Sequence, residues 1–487
     1  MDRKPAATDS SDQKGPPYSA KSNRHANGRR IVYGSAAILL TVLLGWNFLL
    51  TDGSGAAAGQ MNSDSSRPLS TSPIQISSVS SAASTALAAL SPSPSPISTT
   101  TPSPSPTPTP TPVPEIRAIL TAVGDIIMHK PVIDGGLTNP GDAMPVYDFN
   151  TDFQYVSSIL QESNLATGNF EGTLSGPPYT GFPSFSAPDE IADAIYNAGF
   201  RVICTANNHC IDKGYDGLIR TATVFREKGL TVIGTRPDLT SPMDTVADLG
   251  GIKVGLLNYT FETPGSEQQK TINGIPIPDG AYLLIDSFNP YREAAYQTDL
   301  RYILSRAEGL RRQGAEVICL TLHWGEEYNT HSVAWQQKMA QNLCDAGIEL
   351  IIGHHPHVLE EIEVLTSAVT GKQTLVYYSL GNFLGNWNFG SLGTAGKAQD
   401  GMIARVTFLK TTEGVIIEKG EYIPTFVVRV PEGPGLQHLI VPVLPGLADP
   451  AAYQTTTGEM QASYDRTNKI LGTCIGTAEI PVMEAAS

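Results

Sequence analysis

Three histidines, His354, His355 and His357, crowd into the stretch IIGHHPHVLE directly behind a β-branched apolar run. Imidazole nitrogen suits borderline divalent metals such as zinc or manganese, and their sites combine it with carboxylate or amide oxygen. The chain offers such oxygens in equivalent places. Asp125 follows the apolar run of AVGDI, and Asn169 and Glu171 stand in TGNFEGTL. Asn207, Asn208 and His209 stand in TANNHC, and His323, Glu326 and Glu327 in LTLHWGEEY. His323 and the 354–357 group are four of nine histidines in the whole chain, with His129 and His209 in two further loops of the same kind. That concentration points to a metal site rather than to histidines scattered through a core.

Residues two apart in an extended segment point the same way. His355 and His357 are therefore expected to face one centre together, with His354 turned away into a supporting place. In SLGNFLG, Ser379 and Asn382 offer hydrogen bonds to a substrate or to a ligand residue, or simply form a turn.

These residues meet only if the runs before them are strands of an open α/β sheet, whose carboxyl-end loops share one crevice. The pattern predicts strands over Ala118–Val123, Asn164–Asn169, Arg201–Thr205, Thr231–Ile233, Glu316–Leu322 and Glu349–Ile352. Amphipathic periods between them predict helices, the longest over Arg292–Gln313. Near the end, Thr374–Tyr378, Met402–Phe408, Val415–Tyr422 and Phe426–Val430 follow one another without helices, which predicts a second, partly antiparallel sheet packed on the first. The expected domain covers 115–430, followed by a 431–487 extension that carries no evident chemistry. Arg301, Arg306, Arg311 and Arg312 share no helical face and are expected to be solvated.

The first quarter of the chain has a different composition. Residues 31–50, IVYGSAAILLTVLLGWNFLL, hold no charge over a length sufficient to cross a bilayer as a helix. Seven Lys/Arg against three Asp precede them in 1–30, so the N-terminus is expected in the cytoplasm and the rest outside. An uncleaved anchor is favoured by that long preceding segment; a cleaved signal peptide is the alternative. Residues 51–114 are Ser/Thr/Pro-rich and are expected to be a disordered linker, whose last part in polyproline II would reach roughly 75 Å. The formal net charge of −15 disfavours nucleic acid as a partner. Five cysteines in no framework spacing give no disulfide or redox reading.

In order, GDII, GNFEGTL, ANNHCIDKG, LHWGEEY, IIGHHPHVLE and YSLGNFLG resemble the motifs of the capsule synthesis protein CapA family of poly-γ-glutamate assembly. That family is similar in fold to the calcineurin-like metallophosphoesterases, and the resemblance covers about Ile116 to Arg429. It implies a metallophosphatase-type sandwich of two mixed β-sheets flanked by helices. It also implies one or two divalent ions: Asp125 as a ligand of the first, Glu171 as a bridge, Asn208 and His323 on the second, and His355 and His357 supplying one each. His209 would be the general acid, with Asn169, Asn207, Glu326, His354, Ser379 and Asn382 touching substrate or ligands. Calcineurin-like enzymes open with Asp-x-His, whereas Ile127 occupies the histidine position here. The expected function is a membrane-anchored extracellular role in capsule biosynthesis, on a cell-envelope polymer such as poly-γ-glutamate and with membrane-bound capsule synthesis proteins. A metal-dependent surface hydrolase of phosphoesters or amides is the alternative.

Overall fold

The structure is a computed structural model that describes residues 114–266, 268–432 and 435–472. The anticipated cytoplasmic segment, membrane span and linker, 1–113, lie outside the described residues. Among the described residues no helix is long and apolar enough to cross a membrane.

Strands β1 (Ile116–Ile126), β2 (Leu165–Phe170), β3 (Val202–Cys204) and β4 (Thr231–Ile233) alternate with helices α1 (Lys130–Gly135), α2 (Ser157–Gln161), α3 (Glu190–Ala198) and α4 (Gly214–Glu227). Next come β5 (Thr245–Asp248), β6 (Lys253–Phe261), the two-residue strands β7 (Thr271–Ile272), β8 (Ile275–Pro276) and β9 (Ser287–Phe288), then α5 (Glu293–Arg312). They lead to β10 (Val317–His323), α6 (Ala334–Asp345) and β11 (Leu350–His354). The chain finishes with β12 (Ile362–Thr366), β13 (Gln373–Tyr377), β14 (Asn382–Leu384), β15 (Asp400–Thr411), β16 (Gly414–Glu432), β17 (Gly435–Pro442), α7 (Val443–Ala448) and α8 (Thr457–Leu471).

Two mixed sheets result, in the orders β17-β16-β15-β1-β2-β3-β4 and β12-β13-β11-β10-β6-β5. The division differs from the expectation. Of the four expected C-terminal strands only β13 joins the second sheet, beside β11 of the later βα units; β15 runs antiparallel to β1 and, with β16, widens the first. Alternation along each strand then sorts side chains into layers. Ala118, Leu120 and Ala122 of β1 meet Val317, Cys319 and Leu350 of the second sheet in the central core. Val123 and Phe170 face out onto α3 and α4, and Ile318 and Leu320 face out onto α5 and α6. In α5 the buried residues Tyr296, Leu300, Ile303, Ala307 and Leu310 recur at the three- and four-residue spacing of a helix face.

Three further expectations change. Val415–Tyr422 and Phe426–Val430 are one strand, β16, in which Pro424 falls just beyond the end of the β17 pairing at Thr425. A missing N–H is tolerated there because the strand is locally an edge. The folded domain also runs past residue 430, since β17 pairs with β16 and α8 docks through Arg466 and Ser463 on the buried carboxylate of Asp400. Finally, Arg306 and Arg311 are half-buried and ion-paired, to Asp244 and Asp286 and to Glu349 respectively. Single-helix patterning could not show carboxylates arriving from other segments.

Candidate metal centre

The alternation that builds the central core continues into the site. In β10 the inward series Cys319 and Thr321 ends at His323; in β11 Leu350 and Ile352 end at His354; in β2 Leu165 and Thr167 end at Asn169. Strand β1 reaches the same face by an extra residue. Val123 pairs with Gly168 but Asp125 with Asn169, so a bulge at Gly124 reverses the phase and turns Asp125 inward. Only glycine fits at that position, since a Cβ would stand 2.2 Å from the Gly381 carbonyl oxygen. Asn169 then donates to Asp125 Oδ1 at 2.8 Å, and the His355 backbone N–H donates to Oδ2 at 3.2 Å.

His354 does not turn away: its Nδ1 is 3.1 Å from Asp125 Oδ1. Nor is the His-x-His segment extended, because His355 and His357 have φ of 100° and 58°. The two rings converge through left-handed backbone rather than strand geometry. Asn382 fixes one of them, facing His357 Nδ1 at 3.2 Å with its oxygen and donating to the His357 carbonyl at 2.8 Å.

Glu171, just beyond β2, is buried, and neither carboxylate oxygen has a hydrogen-bond partner. His357 Nε2, His323 Nε2 and His209 Nε2 lie 3.6, 3.9 and 4.0 Å from its Oε1. Burial pushes its carboxyl well above the usual range, against the attraction of His357. Two ligand sets share this residue: Glu171 with His323 and His355, and Glu171 with Asp125 and His357, each with its ligand atoms within 4.8 Å of one another. Asn208 extends the first, its Oδ1 3.0 Å from His323 Nε2.

The electrostatics suit a cation. Burial and the neighbouring imidazoles push His355 down to about 3 and His323 well below its ordinary value, which keeps both rings neutral, the form that binds metal. Burial opposes ionisation of Asp125, yet His354 and His357 beside it hold its carboxyl well below the ordinary range. Burial would lower His357 too, but Glu171 and Asp125 raise it to about 9, so a metal ion bound between those carboxylates would have to displace its proton. An unpartnered buried carboxylate costs several kcal/mol, and a divalent ion held by these donors would satisfy it.

His209 is aimed by a residue that the strand-end reading passed over. Its Nδ1 is 2.9 Å from Asp212 Oδ2, and that oxygen also accepts from Phe185 N at 2.7 Å. The cue was in the sequence, as a carboxylate three residues after a histidine. Asn207 accepts from His209 N and donates to Phe170 O, tying this loop to β2. Ser379 donates to Val358 O and accepts from Gly381 N, so it braces a turn. Glu326 is exposed and away from the site; its neighbour Glu327 lines the cavity instead. That cavity, about 450 Å³, opens over Glu171, His209 and His357.

Several known proteins are similar. The chain is 30% identical over 275 residues to the capsule biosynthesis protein CapA of Bacillus anthracis, a match covering 54% of this chain and 59% of that protein. It is 27% identical over 274 residues to the PGA biosynthesis protein CapA of Bacillus subtilis, covering 54% and 62%. The chain thus spans about three-fifths of the length of these relatives. Among solved structures, the calcineurin-like phosphoesterase YfkN of Bacillus subtilis aligns at 14% identity and TM-score 0.32, over 73% of this chain and 99% of that one. NAD nucleotidase of Haemophilus influenzae aligns at 14% identity and TM-score 0.39, over 74% and 64%. The family model described as bacterial capsule synthesis protein PGA_cap matches residues 119–386, the span that holds every residue of the centre, and the chain belongs to that family.

Proposed function

We propose that this is a divalent-metal protein of capsule biosynthesis, with a calcineurin-like metallophosphatase-type sandwich held outside the cell by the apolar segment 31–50. The observation that carries the metal reading is the Glu171 carboxylate, buried without a partner between two sets of imidazoles. Asp125, Glu171 and His357 would hold one ion, and Glu171, His323, His355 and Asn208 a second. Their mixed nitrogen and oxygen donors suit zinc or manganese. An ion bound there would supply Lewis acidity toward a phosphoryl or acyl oxygen. The relatives' names support a place in assembly of a cell-envelope polymer such as poly-γ-glutamate, beside membrane-bound capsule synthesis proteins.

A second reading, hydrolysis of a phosphoester or amide at the cell surface, is favoured by the His209–Asp212 pair. Asp212 would accept from Nδ1–H and favour the imidazolium, whose Nε2–H, on the cavity side, could then pass to a leaving group and leave the ring neutral. The metal reading is tested by the metal content of the purified chain after incubation with zinc or manganese, beside a His355→Ala, His357→Ala double variant. Retention in the wild type alone is expected; equal content in both sinks the reading. Turnover of a generic phosphodiester and of poly-γ-glutamate by the same pair separates enzyme from binding protein.

A further inference from the structure

Loop 386–392 contributes to two cavities. Asn386, Trp387, Ser391 and Leu392 line the one over Glu171, whereas Asn388 and Phe389 line a second, of about 550 Å³, together with Gln399, Arg429, Glu459 and Arg466. Every one of these second-cavity residues lies beyond residue 386, where the family match ends. Its two guanidiniums are not equivalent. Arg466 is matched by Asp400, with Nε and Nη2 on the two carboxylate oxygens at 2.6 and 2.7 Å. Arg429 is half-buried, and among the described residues no hydrogen bond or ion pair reaches it; its Nε is shut off from solvent without a partner. The acid in the same wall is engaged elsewhere, since Glu459 turns back on its own helix and its Oε2 accepts from Thr456 N at 3.1 Å and from Thr456 Oγ1 at 2.8 Å.

A buried guanidinium N–H without an acceptor is unfavourable. The chain has 47 acids for 32 lysines and arginines, so carboxylates are plentiful, yet among the described residues none pairs with Arg429. The donors of a guanidinium lie in one plane, as a fork that fits two oxygens of a carboxylate or of a phosphate. Beside it Asn388 is exposed and accepts from Gly390 N through Oδ1, and Phe389 is 67% exposed. Arg429 also stands opposite His438 across β16 and β17, and His438 Nε2 is 3.0 Å from Asn386 Oδ1, at the head of the loop that both cavities share. We propose that Arg429 and its cavity bind a terminal oxyanion, carboxylate or phosphate, as a site separate from the centre around Glu171. The site stands whether or not an ion occupies that centre.

Calorimetric titration of the purified full chain with inorganic phosphate and with glutarate tests this. Ions at the Glu171 centre would attract anions too, so each titration is repeated in the His355→Ala, His357→Ala variant. In both backgrounds at least one anion is expected to bind saturably and to weaken about 10- to 100-fold in Arg429→Gln, with Arg429→Lys recovering part of the loss. The tighter of the two anions names the group that the site takes. Asn388→Asp puts a negative charge beside the guanidinium from an exposed position and should weaken binding as well. Should Arg429→Gln lower the urea-unfolding midpoint, Asn388→Asp decides alone, and unchanged affinity there overturns the proposal. It is equally overturned if neither anion binds saturably, if Arg429→Gln binds as the wild type does, or if binding vanishes in the double histidine variant and ignores Arg429.

Discussion

Asn169 holds Asp125 across a break in strand register, its amide 2.8 Å from the carboxylate, where Gly124 adds one residue to β1. Without that bulge the strand's alternation would send Asp125 to the outer core beside Val123. The centre therefore depends on a glycine that touches no ligand.

Gly124→Ala should both destabilise the fold and weaken the metal site, because the new Cβ collides with the Gly381 carbonyl and relief must shift β1 or β14. A loss of about 1–3 kcal/mol in urea unfolding is expected, with lower zinc or manganese affinity by titration. Unchanged metal affinity in a destabilised variant would show that the bulge does not position Asp125.

Asp212→Asn should separate metal binding from proton transfer. The introduced amide would offer His209 a poorer acceptor and favour the other tautomer, while both ligand sets stay intact. On the hydrolase reading, turnover of a phosphodiester should fall by about 10²–10⁴ at unchanged metal content. A loss of metal instead would make Asp212 a structural support for the loop.

Glu360 predicts a pH dependence outside the centre. It is buried, accepts from Gln336 Nε2 at 3.0 Å through one oxygen and leaves the other unpaired; burial raises its carboxyl to about 8. The folded chain thus keeps a proton that the unfolded chain releases near 4.5. Stability from this group is present below about pH 4.5 and is lost as pH rises toward 8, by about 2–4 kcal/mol. Glu360→Gln should flatten that slope between pH 5 and 8 in denaturant melts; an unaltered slope would place its origin elsewhere.

Arg466→Ala should show how firmly the C-terminal helix belongs to the domain. It strips the bidentate partner from Asp400, which is 1% exposed and keeps only Ser463. A loss of about 3 kcal/mol is expected, and limited proteolysis should cut at α8 before the rest of the chain. Wild-type proteolysis kinetics would mean that α8 is dispensable.

Much of the positioning logic was legible in the sequence, because each polar residue follows a run whose apolar spacing specifies a strand. Leu320–His323 and Ile351–His354 are of this kind. The unread parts share one cause, dependence on distant segments. Period-2 alternation cannot reveal that β15 will pair with β1, nor that Gly124 adds a residue, nor that the backbone of His355 and His357 turns left-handed. Glu326 and Glu327 are adjacent, and only the curl of their loop decides which lines the cavity.

The first sheet carries Asp125, Glu171 and Asn208 at its strand ends, and the second carries His323, His355 and His357. An ion shared among them would act as a rivet through two plates, resisting shear rather than separation. Small sliding of one sheet over the other, which an apolar interface tolerates with little loss, would pull both ligand sets out of reach at once. Metal affinity in this protein should therefore serve as a gauge of how its two sheets are aligned.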